Sequence, residues 1–269
     1  MSKTNIGWAQ NPDGTRGEVW NPTVGCSHSG SRGCDFCYAE RMAMRLKAMG
    51  VEGYEDVVDE KGWTGRVMRA FSRWDAPSRW RKPRRVFVNS MSDIFHEQIA
   101  DRDLRELFST MALARQHTFI ILTKRYERAV AFMRNETWQQ REMTVLLGAS
   151  PYSVVPPNIW LIFSASTQAE VDECVPILLR SDAAVKGLSL EPMLEEVSLG
   201  LDARGLDWVV VGAESGPHRR PFDVRWAEDV YAQCKDAGIA YFGKQDSGVC
   251  PGVPLLIDGR EVKEWPKGG

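Results

Sequence analysis

From residue 85 onward, short apolar runs alternate with amphipathic stretches along the chain. RVFVNSMSD (85–93), TFIILTKR (118–125), NIWLIFSAS (158–166), AVKGLSLEP (184–192), LDWVVVGAES (206–215) and AYFGKQ (240–245) are apolar runs rich in β-branched and aromatic residues. Near-continuous apolarity over so few residues predicts strands buried on both faces. Between them, DRDLRELFSTMALARQ (101–116), TQAEVDECVPILLRS (167–181) and VRWAEDVYAQCKDAG (224–238) space their apolar residues as helices do. Upstream, EVWNPTVG (18–25) predicts a first strand, and YAERMAMRLKAMG (38–50) its helix, stopped by Gly50.

Strands separated by helices predict an α/β fold with a parallel sheet covered by helices. No Gly-x-Gly-x-x-Gly follows the first strand, so a dinucleotide-binding fold lacks its main signature. The number of βα units favours a partial (β/α)6-type TIM-like barrel with parallel strands, built as one domain over residues 1–269. The strands end in polar residues: Ser90, Ser92 and Asp93; Lys124 and Arg125; Ser164 and Ser166; Glu191; Glu214; Lys244. In a barrel such ends converge on one mouth, where active sites lie. Two stretches interrupt the rhythm. One, about 51–84, carries Trp63, Trp74 and Trp80 and is expected to be partly helical; a second spans about 135–157.

Composition narrows the class. At 43% hydrophobic and 26% charged residues the chain is neither membrane-spanning nor disordered. The opening MSKTNIGWAQNPDG lacks the apolar segment of a signal peptide, so the reading is a cytoplasmic protein with no membrane partner, and a monomer. The net charge of −2 excludes a polycation overall. Residues 61–90, however, hold nine Lys and Arg against one acid, Asp75. That is either a solvated face or an anion-binding surface.

Three of the six cysteines cluster in GCSHSGSRGCDFCYAE (25–40), as Cys26, Cys34 and Cys37. A disulfide is disfavoured by the odd count and the compartment. A Cys3His zinc site would take His28 as its fourth ligand. An iron–sulfur cube takes one thiolate per iron, so three cysteines leave one iron open to a small molecule. Cys174 and Cys234 fall on predicted amphipathic helices as core residues, and Cys250 follows the last strand toward the mouth.

The C-x7-C-D-F-C loop, set between a strand and a helix, resembles the cluster loop of the radical S-adenosylmethionine (SAM) superfamily. There the common form is C-x3-C-x-aromatic-C, and Phe36 stands at the aromatic position. The first gap, seven residues, is longer than usual. WNPTVGC, VFVNSMSDIFHE, FIILTKR, LSLEPML, VVVGAESGPHRRP and FGKQ extend the likeness to a phage- and prophage-associated three-cysteine group with a radical-SAM-like barrel. The resemblance implies a [4Fe–4S] cluster on Cys26, Cys34 and Cys37, with SAM on the fourth iron and an external electron donor such as flavodoxin. It further implies Ser90, Ser92 and Asp93 near the SAM amino group, and Ser164 and Ser166 near its ribose or carboxylate. Lys124, Arg125 and Lys244 would face the SAM carboxylate or an anionic substrate. Glu191 and Glu214 would stand at the mouth on SAM or substrate, and Cys250 is a candidate radical-quenching or covalent residue.

Each assignment has a structural alternative. Ser164 or Ser166 would cap the helix starting near Thr167, and Glu191 and Glu214 would pair with Lys244 or Lys124 inside the barrel. The resemblance supplies no substrate. The basic, Trp-bearing insertion favours a nucleotide or a pyrimidine base in phage DNA, with Arg81 and Arg85 on phosphates. Repair of a pyrimidine lesion and a non-enzymatic zinc-bearing nucleic-acid-binding protein are the alternatives.

Overall fold

The protein's structure is a computed structural model that describes residues 2–134 and 156–267. Apart from Pro156 and Pro157, the second insertion expected at about 135–157 lies outside the described residues. Eight strands form the main sheet: β1 (Ser2–Lys3), β2 (Glu18–Trp20), β3 (Arg85–Val88), β4 (Thr118–Thr123), β5 (Ile159–Ala165), β6 (Val185–Leu190), β7 (Trp208–Gly212) and β8 (Ala240–Gln245). Their order in the sheet is their order in the chain. The short β1 pairs antiparallel with β2, and β2 through β8 are parallel. These seven parallel strands curl into a half-barrel, the partial barrel expected from the sequence.

Helices α1 (Tyr38–Ala48), α2 (Asp101–Leu113), α3 (Tyr126–Met133), α4 (Gln168–Leu179) and α5 (Val224–Ala237) lie between the strands. Their apolar faces determine where they pack. On α2, Leu104, Leu107, Phe108, Met111 and Ala112 are buried against the outer face of the sheet with Val88, Phe119, Leu161, Leu188 and Val209. Cys174 and Cys234 lie in this core, fully buried, and burial pushes both thiols up to about 12. The sequence reading missed α3, which is only two turns long, and the turn at Gly7–Ala9.

Alternate residues face the concave side. At its base they are aromatic or aliphatic: Phe87, Ile120, Trp160, Trp208, Val210 and Phe242 form a second core with Trp8. Trp8 meets Phe87 at 4.7 Å between ring centroids. Trp265 meets Phe242 at 5.1 Å, and its indole N–H donates to the Trp8 carbonyl at 3.0 Å. Segments from both ends of the described chain therefore close the floor. One register further along, the same face carries Ser164 and Ser189, which are register partners, and then Lys124 and Lys244. Strand periodicity thus makes the floor apolar and the mouth polar.

The insertion at 51–84 is not helical beyond two 3-10 turns, Phe71–Arg73 and Ala76–Arg79. Its other elements are short strands: Val58–Asp59 pairs with Gly62–Trp63, and Met68–Arg69 pairs with Thr23–Val24. Tyr54, Val57 and Val58 pack on Ala39 and Ala43 of α1, a small core of their own. Burial of this core, rather than helix propensity, shapes the segment. Its stretch as far as Trp74 lies beside the C-terminal end of β2, where Ala70 N–H donates to Pro22 O at 2.7 Å and the Trp20 indole N–H to Arg73 O at 2.7 Å. The remainder enters β3 from the opposite pole.

Candidate functional site

The loop from β2 to α1 carries Cys26, Cys34 and Cys37, with Cys37 as the residue capping α1. All three thiols are free and half-buried. Burial pushes Cys26 up to about 12, with the Arg125 guanidinium acting against it. Burial also raises Cys37, opposed by the backbone N–H groups at the start of α1. Both are thiols at neutral pH, and a metal would have to displace their protons.

The seven-residue gap between Cys26 and Cys34 has a structural account. Its side chains and backbone are gripped from three sides. At the first grip, Arg125, just past β4, donates through Nη2 to Ser27 O (3.2 Å) and Ser27 Oγ (3.0 Å). The same guanidinium reaches Asp93 Oδ2 at 3.2 Å and Glu97 Oε1 at 3.2 Å. His96 adds to this anchor. Its Nδ1 accepts from Gln98 N–H at 3.2 Å, which leaves Nε2 to donate to Ser27 Oγ at 2.9 Å. Burial, reinforced by Arg125, lowers the His96 pKa and keeps the ring neutral.

The second grip is Glu170, in the first turn of α4. It accepts from Ser31 Oγ at 3.1 Å, Arg32 N–H at 3.0 Å and Ser166 N–H at 2.6 Å. Thr167, not Ser164 or Ser166, caps α4, accepting from Glu170 N–H. The third grip is Arg220, in the loop after β7. It donates to Arg32 O at 2.9 Å and Asp35 Oδ2 at 3.1 Å, and lies 5.2 Å over the Phe36 ring. A three-residue gap would not have the length to meet all three partners. Gly33 passes so close to β5 that a Cβ there would stand 2.5 Å from Ser166 Oγ. Gly25, at φ +95°, abuts Arg66, whose carbonyl would lie 2.2 Å from a Cβ.

The sequence-derived candidates fall into distinct groups. Asp93 is buried and fully engaged, accepting from Thr123 Oγ1 (2.8 and 2.9 Å), Phe95 N–H (2.9 Å) and Lys124 N–H (3.1 Å) besides Arg125. Its oxygens organise the strand ends. Ser90 exchanges hydrogen bonds with Asn21 at 3.2 Å, and its carbonyl accepts from Tyr38 OH at 2.9 Å. Ser92 forms a bridge with Gly25, beside Cys26. Among the described residues the buried Ser92 and Ser166 hydroxyls have no hydrogen-bond partner. Lys124 Nζ donates to Ser164 Oγ at 2.7 Å. Lys244 Nζ pairs with Glu191 Oε1 at 3.2 Å, without hydrogen-bond alignment, while Ser189 Oγ donates to Glu191 Oε2 at 3.3 Å. Cys250 is exposed on the loop after β8.

Glu214 pairs with Arg220 rather than with a lysine, through Arg220 N–H at 2.9 Å and Nε at 3.0 Å, and Nη2 also meets it. Although burial raises the Glu214 carboxyl, the Arg220 hydrogen bonds outweigh it and hold the pKa below the usual range. A depressed carboxyl stabilises the fold above its unfolded pKa and loses that contribution as pH falls through the folded value. Arg220→Ala is therefore expected to cost about 1.5–3 kcal/mol at pH 7. The deficit should shrink below about pH 4, read from urea midpoints at the two pH values.

Arg85 does not face solvent: it is 5% exposed, its Nη1 donates to Gln10 O at 2.9 Å, and its guanidinium sits 4.9 Å over the Trp265 ring. It begins β3 at the floor, so neither it nor the exposed Arg81 four residues earlier stands near the mouth. The insertion's tryptophans differ in exposure. Trp80 is buried, and Trp63 and Trp74 are half-buried. His28 faces Glu40 at 3.1 Å rather than the thiols. Among the described residues no three His, Cys, Asp or Glu side chains converge as ligands of a single ion.

The donor set suits an iron–sulfur group, in which each thiolate holds its own iron and the thiolates need not converge on one ion. Buried hydroxyls without partners, Ser92 beside Cys26 and Ser166 against Gly33, are the groups a polar ligand at the mouth would satisfy. Sequence reasoning missed Arg220, Glu170 and Ser189. The T-x-x-E capping signature at Thr167–Glu170 was the one local signal available.

A family model described as "Protein of unknown function (DUF5131)" matches residues 3–253. A search of curated proteins finds no match. Among solved structures, "Spore photoproduct lyase complexed with dinucleoside spore photoproduct" is similar at a TM-score of 0.47 and 12% identity, covering 88% of this chain and 78% of that chain. No helix among the described residues is long and apolar enough to cross a membrane.

Proposed function

The chain belongs to the DUF5131 family, and from that premise we propose that it is a radical SAM enzyme acting on a nucleotide or on a pyrimidine base in phage DNA. The observation that carries this reading is the cysteine loop itself. Three free thiols are held at the mouth of a parallel half-barrel, tied to β4, α4 and the loop after β7, next to buried hydroxyls that lack partners.

Cys26, Cys34 and Cys37 would hold a [4Fe–4S] cluster. When bound, that cluster with SAM supplies a 5′-deoxyadenosyl radical on one-electron reduction, the electron coming from a donor such as flavodoxin. The chain's own residues do the rest. Arg125, Glu170 and Arg220 fix the loop before any group binds, so binding does not have to order it. Ser92 and Ser166 offer hydroxyls that donate to or accept from a polar ligand. Lys124 carries a positive charge toward the same mouth through Ser164, which suits a ligand carboxylate. Across the mouth, the Glu191–Lys244 pair with Ser189 can hold a substrate amide or hydroxyl by exchanging partners. The apolar floor around Trp8 and Trp208 closes the barrel from below, so that a ligand is approached by solvent from the mouth side alone. A base taken from duplex DNA would have to leave the stack to reach this depth. In base modification as in reversal of a pyrimidine lesion, that radical would take a hydrogen atom from the substrate.

The test is anaerobic purification followed by iron, sulfide and 5′-deoxyadenosine assays under dithionite. About four irons and four sulfides per chain are expected, with reduction-dependent cleavage of SAM. Zinc without sulfide, or full activity in an iron-free protein, would overturn the reading.

A further inference from the structure

Between Arg66 and Trp74 the insertion carries an exposed strip beside the mouth that none of the groups described above uses. Phe71 is 70% exposed and Met68 43% exposed, unusual for large apolar side chains. The Phe71 ring leans on Trp74 at 6.3 Å, and Arg69 backs both rings at 5.8 and 6.0 Å. The Arg69 charge is itself neutralised by the buried Asp103, so its role is to hold the rings in place. Beyond Trp74 a cleft of about 500 Å³ opens against the α2 side chains from Arg102 to Thr110. Arg102 and Arg105 line it. Glu106 is the opposing charge, occupied by the Trp74 indole N–H and Arg102 Nε, each at 3.2 Å. The Arg102–Glu106 pair is an exposed i,i+4 contact. Such pairs contribute little and exchange readily for a better anion. At the other end of the strip the exposed Arg66 abuts Gly25, the residue before Cys26.

We propose that this strip, from Arg66 over Phe71 and Trp74 to Arg102, binds a single strand of nucleic acid and leads it to the mouth. The chemistry matches: an exposed ring on a rigid backing stacks on a base of any identity, and guanidinium groups on either side neutralise phosphates. The strip also replaces Arg85 and Trp80, whose burial keeps them from a strand. The proposal rests on the nucleic-acid reading above only for where the strand is delivered. Binding itself needs neither cluster nor SAM.

The test is fluorescence anisotropy of a labelled oligothymidine with the full chain. Affinity should fall with rising salt. Phe71→Ala should weaken binding by about tenfold, the loss of one stacked base. Arg66→Glu should weaken it and lower the salt slope by about one. Arg81→Gln, at the opposite pole, should leave it unchanged. Three results would each overturn the proposal: affinity indifferent to both Phe71→Ala and Arg66→Glu, an effect of Arg81→Gln equal to theirs, or polyglutamate competing as well as unlabelled oligonucleotide. The last would assign the strip to an acidic protein partner. SAM cleavage measured without DNA separates failure of the strip from failure of the radical chemistry.

Discussion

Replacing Cys34 by alanine is expected to remove the bound iron and to lower 5′-deoxyadenosine formation by more than about 100-fold, since losing even an outer partner of a metal ligand costs up to that much. Cys26→Ala and Cys37→Ala should behave alike, because three thiolates are the minimum that leaves a single iron open. The other cysteines supply the contrast. Cys174 and Cys234 are fully buried among the helices, so their alanine variants should lose about 1 kcal/mol of stability through small cavities and keep their iron. Cys250 is exposed on the loop after β8, and Cys250→Ala should keep iron as well. Iron and sulfide content of anaerobically prepared variants, with SAM cleavage alongside, decides the matter. Iron loss in the Cys250 variant equal to that in the Cys34 variant would reassign the ligands.

Arg125→Met is expected to destabilise the chain by about 3–5 kcal/mol, the cost of removing one partner from a buried ion pair. The Arg125 and Asp93 side chains are 7% and 9% exposed. Without the guanidinium, Asp93 keeps Thr123 Oγ1 and the backbone N–H groups of Phe95 and Lys124, but its charge is buried without an opposite one. Glu97, 66% exposed, is well solvated and adds little. The double variant Arg125→Met/Asp93→Asn should recover part of the loss, because the two residues share one network. Urea denaturation of metal-free protein reads both effects. The same substitution frees Ser27, so iron loading should also become slower and less complete, even in molecules that remain folded. A loss below about 1 kcal/mol would show that the hydrogen bonds to Asp93 suffice without the guanidinium.

These two variants mark the boundary between what is local in this protein and what is not. The cysteines, the seven parallel strands and most helices are legible from residue order. Continuous apolar runs and helical spacing report burial over a few neighbours, and burial is what selects those elements. The two-turn α3 escaped because so short a stretch shows too few periods. The insertion at 51–84 escaped because packing on Ala39 and Ala43 of α1, rather than intrinsic propensity, orders it.

The site divides in the same way. That polar residues gather at the strand ends was written in each strand separately: Ser92, Lys124, Ser164, Glu191, Glu214 and Lys244 follow apolar runs. Which of them pair was not. Arg125 meets Ser27 across 98 residues, Glu170 meets Arg32 across 138, and Arg220 meets Asp35 across 185. Arg85 belonged to a basic cluster in sequence, yet the start of β3 carries it under Trp265 at the floor. Hydrophobic periodicity depends on near neighbours, so the chain alone determined the barrel and the three thiols. Hydrogen bonds and ion pairs depend on which loop ends the curled sheet brings within about 3 Å. Only the tertiary structure therefore decided that the long cysteine loop is held from three sides, and which charges remain to meet a ligand.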